Sequence, residues 1–324
     1  MTIASTNGHP VLAEVVRSGL RESWHHGSLV VLGGDGSVQV AAGTIDQPMF
    51  PRSANKPMQA MAMLGCGLQL DGHLLALAAA SHSGEDFHVS GVRQILGSAG
   101  LTEADLQCPP DLPLDDAARA ALLARGGNAD RVHMNCSGKH AAMLATCKAA
   151  GWPTGSYRDP SHPLQRQIRA ELERLSGERV AAVGVDGCGA PLFAVSLTAL
   201  ARAFGSLVLA EPHSSERSVA DAVRTHPEWT SGTARSERAL MMAVPGLLVK
   251  SGAEGVQAFA LADGRAAAVK MEDGSGRAIP AVTVALLRML GVAEVTPGAL
   301  DQIADLPVYG GGQVVGQIRA ALPA

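Results

Sequence analysis

Strand signals sit at the two ends of this 324-residue chain, and helical periodicity fills the space between them. Near the N-terminus, SLVVLGGDGSVQVAAG (28–43) sets two β-rich runs on either side of Gly34-Asp35-Gly36. An Asp-Gly pair supplies the positive φ that a tight hairpin turn requires. QAFALADGRAAAVKMEDG (257–274) repeats the arrangement around Asp263-Gly264, and VYGGGQVVGQIRA (308–320) reads as one more strand. Between them the pattern predicts helices over 55–64, 72–80, 86–99, 115–125, 138–150, 163–175, 215–225, 235–243 and 276–290. This order suits an α+β chain: an antiparallel sheet assembled from the N- and C-terminal parts, with a mostly helical middle. It disfavours a parallel βαβ sheet. No repeat, low-complexity stretch or linker cuts the chain, so 1–324 is read as a single domain.

Composition narrows the class. Hydrophobic residues make up 47% and charged residues 17%, as in a globular enzyme, while aromatics are only 3%. Core volume must come from Leu, Val, Ile, Met and closely packed Ala. A net charge of −4 with intermixed signs leaves no basic stripe for nucleic acid or an anionic membrane. The start, MTIASTNGHPVLAEVV, lacks the basic-then-apolar order of an export signal. The apolar stretch 193–210 is broken by Arg202 and reads as a buried helix rather than a membrane span. A cytoplasmic location is expected, with the five cysteines reduced.

Four segments carry chemistry. PRSANKP (51–57) places Ser53 where a helix N-cap belongs and Lys56 three residues on, on the same face. A serine hydroxyl needs a base, and a lysine driven toward neutrality can serve. By itself S-x-x-K reads rather as a plain cap followed by a surface lysine. AASHSGED (79–86) runs from apolar helix into a cluster of two serines, His82 and Glu85, or into a plain helix end and turn. HMNCSGKHA (133–141) sets Cys136, Lys139 and His140 at helical spacing, and VGVDGCGAP (183–191) carries Asp186 and Cys188 in a Gly-rich turn. Two such thiols can share a Zn²⁺, but the C-x₂-C spacing of a structural zinc site is missing and spacing alone favours buried structural cysteines. GLLVKSGAEG (246–255) ends an apolar run in Lys250-Ser251-Gly252. S-x-x-K followed by K-[ST]-G in this order is the pattern of penicillin-recognising serine hydrolases, and it tips the first segment toward function. Their S-D-N element is absent. Cys66, Cys108 and Cys147 receive no role.

RSANKP, ASHSGED, NCSGKH, VDGCGAP, LLVKSGAEG and AVKMEDG, in that order, together resemble the rhizobial-type (class 3) L-asparaginases, the asparaginase II family. The resemblance implies a fold related to serine β-lactamases and glutaminases, a homodimer, and hydrolysis of L-asparagine to L-aspartate and ammonia. It implies two Ser–Lys pairs, Ser53 with Lys56 and Ser81 with Lys250. It implies Zn²⁺ on Cys136, Lys139 and Cys188, and a substrate shell of Arg52, His140 and Asp186. Competing readings are a glutaminase or another S-x-x-K amidohydrolase such as a D,D-peptidase, and a non-catalytic amino-acid binder on the same scaffold.

Overall fold

A computed structural model describes residues 8–323. The expectation of no export signal falls partly on residues 1–7, which lie outside the described residues. The chain divides into two compact units that interleave in sequence: Met1–Ala54, Val195–Gly205 and Ala239–Ala324 form the first, Asn55–Ala194 and Ser206–Arg238 the second.

The first unit is built on an antiparallel sheet. Its strands are β1 (Val11–Arg17), β2 (Leu20–Leu32) and β3 (Val38–Ala42) from the N-terminal part, joined by five from the C-terminal part; β4 (Pro48–Met49), β5 (Ala182–Val185) and β6 (Pro191–Ser196) lie outside this sheet. The C-terminal strands are β7 (Leu248–Gly252), β8 (Val256–Ala260), β9 (Ala266–Met271), β10 (Leu306–Gly310) and β11 (Gln313–Ala320). The order is β10-β11-β1-β2-β9-β8-β7, with β3 also paired to β2. An α+β architecture with a sheet drawn from both chain ends is what the strand signals imply.

Both Asp-Gly hairpins form. Gly36 (φ 79°) and Gly264 (φ 87°) take the left-handed conformation, and Asp35 accepts from the Ser37 amide and hydroxyl. Scarce aromatics are answered as expected, with Ala258, Ala260, Ala266, Ala267 and Ala268 fully buried on paired strands. Three details differ from the sequence reading. β1 and β2 form a further hairpin through Ser18-Gly19, both at positive φ. The tail is two strands, because Gly311 and Gly312 (φ 57° and 78°) turn the chain back between β10 and β11. The stretch expected to be helical from 193 begins as β6 and becomes helix only over Leu197–Leu209.

The second unit is helical. Its helices include Lys56–Gly65, Gly72–Ala78, Asp86–Ser98 and Ser137–Ala149. In the last of these, every residue from Ser137 to Cys147 is buried, as befits a helix packed on all sides. Its start fits tightly: a β-carbon on Gly138 would lie 2.6 Å from the Leu77 carbonyl oxygen. β5 pairs with the first residues of β6 across a loop holding Asp186 and Cys188. Among the described residues, no helix is long and apolar enough to cross a membrane.

Candidate active site

The expected residues divide between the units. Arg52, Ser53 and Lys250 belong to the first, and Lys56, Ser81, Cys136, Lys139, His140, Asp186 and Cys188 to the second.

In the first unit Ser53 lies in a 3₁₀ turn, Arg52–Asn55, that leads into the helix at Lys56. The helix cap is therefore Asn55 rather than Ser53. Arg52 is left-handed (φ 51°), and its guanidinium lies 3.7 Å from Glu254. The end of β7 packs against this turn at van der Waals limits. A β-carbon on Gly252 would stand 2.5 Å from the Pro51 carbonyl oxygen and 3.1 Å from the Ala54 amide nitrogen. The glycine of K-S-G is thus required by the close approach of the strand carrying Lys250 to the turn carrying Ser53. Lys250 is 1% exposed, and its Nζ donates to the Ser251 carbonyl at 2.9 Å. Ser251 Oγ donates to Gln257 Oε1 (2.6 Å), and Gln257 Nε2 donates to Thr283 Oγ1 (2.5 Å), which fixes the strand end.

In the second unit Lys56 is also 1% exposed. Its Nζ meets the Ala80 carbonyl at 2.6 Å, Ser81 Oγ at 2.9 Å and Cys136 Sγ at 3.0 Å. The carbonyl can only accept, but a hydroxyl or thiol can donate or accept. The same heavy-atom geometry therefore accommodates either the ammonium or the free amine. Nearby, the Asn55 Nδ2 and Gln59 Oε1 atoms are buried without a hydrogen-bond partner among the described residues.

Next to Lys56 lies a sulfur-centred cluster. Lys139 Nζ donates to Cys188 Sγ at 3.0 Å, and Asp186 Oδ2 is 3.6 Å from the same sulfur. Cys136 Sγ donates to Asn135 Oδ1 at 3.1 Å, and the neighbouring Cys188 sulfur together with burial pushes the Cys136 thiol up. The Cys136 thiol in turn pulls Cys188 down against its own burial, assisted by Lys139 and His140, so Cys188 is the thiolate of the pair. Burial works against the charge on Lys139, but the two sulfurs outweigh it and hold its pKa above the ordinary value. His140 Nδ1 is 2.6 Å from the Tyr157 hydroxyl, while its Nε2 is buried with no hydrogen-bond partner. Burial lowers this imidazole to about 4, so it is neutral.

Two buried sulfurs and a lysine nitrogen are donors of the kind Zn²⁺ takes. Among the described residues, no group of three or more His, Cys, Asp or Glu is arranged to hold a metal, so a zinc here needs Lys139 to supply its amine. A cavity of about 710 Å³ elsewhere in the second unit, lined by Leu68, Asp71, His213 and His226 among others, contains none of the expected residues.

Sequence reasoning missed Tyr157, Asn55 and Gln59. Tyr157 is fully buried and receives the Gln107 amide while holding His140. Helical spacing from Lys56 could have flagged Gln59, and Asn55 lies beside Lys56 within RSANKP, but nothing local could have flagged Tyr157.

A buried lysine against a serine hydroxyl is an arrangement in which the amine can take the hydroxyl proton. The profile of the L-asparaginase II family matches residues 13–320, and the chain belongs to that family. Among solved structures it is similar to a β-lactamase from Mycobacterium bovis (15% identity, TM-score 0.45, covering 81% of this chain and 94% of that one). It is also similar to Mglu in its native form (15%, 0.44, 88% and 65%) and to EstCE1, a hydrolase with promiscuous acyltransferase activity (13%, 0.36, 82% and 90%). No curated protein sequence gives a match.

Proposed function

We propose that this chain is an L-asparaginase, hydrolysing L-asparagine to L-aspartate and ammonia as a single catalytic domain over 1–324. The reading is carried by the fully buried Lys56, placed on Ser81 Oγ at 2.9 Å in a member of the L-asparaginase II family. Ser53 attacks the side-chain amide carbon while Lys56 takes its proton. The C–N bond breaks as the leaving nitrogen is protonated, and ammonia departs. Lys56, neutral again once it has protonated the leaving nitrogen, takes a proton from the attacking water and returns it to Ser53 Oγ as the β-aspartyl ester is cleaved, which restores the free amine. Ser81 and Lys250 relay protons and raise the cost of a second positive charge, which favours the free amine. Arg52 suits the substrate α-carboxylate, Asp186 its α-ammonium, and the neutral His140 a polar contact at the pocket wall. Zn²⁺ on Cys136, Lys139 and Cys188 would supply a fixed positive charge that holds the thiols ionised and the lysine as amine. The proposal includes a β-lactamase- and glutaminase-related fold, a homodimer and a cytoplasmic location.

A specific observation favours a second reading of the nucleophile: Ser81 is the hydroxyl seen in contact with the Lys56 amine. Ammonia release from asparagine by wild type, Ser53→Ala and Ser81→Ala decides between them. Loss on the order of 10³-fold or more in Ser53→Ala alone supports Ser53. Survival of Ser53→Ala moves the role to Ser81. A clear preference for glutamine makes the chain a glutaminase, and binding without turnover by wild type makes it an amino-acid binder. Elemental analysis of the purified protein should find about one zinc per chain, absent in Cys136→Ala/Cys188→Ala.

A further inference from the structure

Ser81 lies outside regular structure, just beyond the helix Gly72–Ala78, so no helical ladder fixes where its hydroxyl points. Its place depends on tethers. The Ser81 amide donates to the Thr230 carbonyl at 3.0 Å, and the His82 amide to the Asn135 carbonyl at 3.0 Å. The His82 ring supplies the side-chain link. Its Nδ1 accepts from the Gly84 amide at 3.1 Å, and its Nε2 lies 2.8 Å from Ser137 Oγ, which donates to the Val132 carbonyl at 2.7 Å.

These directions are forced. An amide N–H can only donate and a carbonyl can only accept, so the ring proton sits on Nε2 and points at Ser137. The ring is fully buried, and burial, reinforced by His88, Lys56 and His133, keeps it uncharged. The bond thus joins the residue after Ser81 to the residue after Cys136. Ser81 and Cys136 are two of the three partners of Lys56 Nζ. The Ser137 end cannot drift, because Gly138 is packed against the Leu77 carbonyl.

We infer that His82 is a positioning residue: its Nε2–H···Oγ bond to Ser137 sets the separation between Ser81 and Cys136, and so holds Lys56 Nζ on Ser81 Oγ. Its effect on turnover rests on the asparaginase reading above.

Two substitutions separate this role from that of a buried filler. In His82→Asn the side-chain oxygen replaces Nδ1 and keeps the Gly84 bond, but nothing reaches Ser137. In His82→Gln the amide nitrogen falls near the position of Nε2 and can still donate to Ser137. With asparagine as substrate, His82→Ala, His82→Asn and Ser137→Ala should each lower kcat by about 10- to 100-fold, as expected when a reacting group is misplaced by about an ångström. KM should change by less than about twofold, since substrate contacts are untouched. His82→Gln should recover most of kcat, and His82→Ala/Ser137→Ala should be no worse than either single variant. Unchanged kcat per folded molecule in Ser137→Ala, or a His82→Gln no better than His82→Asn, overturns the inference. If wild type does not release ammonia from asparagine, the functional reading falls instead. The positioning role is then decided by a crystal structure of Ser137→Ala, where an unchanged Lys56 Nζ–Ser81 Oγ distance overturns it.

Discussion

The two lysines expected to serve catalysis are equally buried, but the regions around them are held in different ways. Around Lys250 the order is set by the backbone: β7 is in antiparallel register with β8, and Gly252 brings that strand onto the Pro51–Ala54 turn with no room for a side chain. Around Lys56 the order is set mainly by side chains: a hydroxyl and a thiol converge with the Ala80 carbonyl on one amine nitrogen, with a second lysine, a thiolate and a neutral histidine beyond. The first region should respond to steric change and the second to changes of charge.

The largest effect is expected in the side-chain region. Lys56→Met keeps the bulk of the side chain but removes the amine, and kcat for ammonia release should fall on the order of 10³-fold, the weight of a general base. A residual loss below tenfold would remove Lys56 from the reaction.

A smaller effect comes from protons. His88 is buried, stacked 5.1 Å from His82, and donates from Nε2 to the Glu228 carbonyl. Burial holds it at about 4, against an ordinary 6.5. Between these values the unfolded chain binds the proton and the folded chain does not, so stability is full above about pH 6.5 and declines as pH falls toward 4. This one group should contribute a loss of about 3 kcal/mol, read from urea unfolding at pH 7 and pH 4. His88→Phe should flatten the profile, and an unaltered profile would contradict the assignment.

The backbone region should give the smallest change in a well-chosen pair. Gly252→Ala drives a methyl into the Pro51 carbonyl and should destabilise by about 1–3 kcal/mol. Gly65→Ala, in a helix with nothing within 4 Å, should be neutral or stabilising by up to about 1 kcal/mol. Thermal unfolding of both variants tests the distinction. Equal effects would mean the approach at Gly252 is relieved at no cost.

Much of the fold was legible in the sequence because it rests on local chemistry. Asp-Gly pairs turn hairpins wherever they occur between strands, and each helix expected from periodicity is present to within a few residues of its ends. Errors arose where the local signal was weaker or ambiguous. Ser18-Gly19 is a poorer turn signature than Asp-Gly, Gly311-Gly312 looked like strand interior, and Ser53 looked like a cap where a 3₁₀ turn moves the helix start to Lys56. S-x-x-K and K-S-G were visible as spacing, but the reason for the glycine was not, since Pro51 and Gly252 are distant in sequence. His82 with Ser137 and His140 with Tyr157 were invisible for the same reason. His82 and His140 stand out in their own segments, but nothing there names Ser137 or Tyr157 as the partner.

Arg52 offers a separate lesson. At φ 51° its β-carbon crowds the following carbonyl, a conformation that costs about 1–2 kcal/mol and that glycine adopts freely. A stabilisation effort that ranked positions by torsional relief would choose Arg52 early and replace it with glycine. The product would be a sturdier protein without the one cation proposed to recognise the substrate carboxylate. On the proposed reading, resistance to heat and recognition of substrate are set against each other within this single residue.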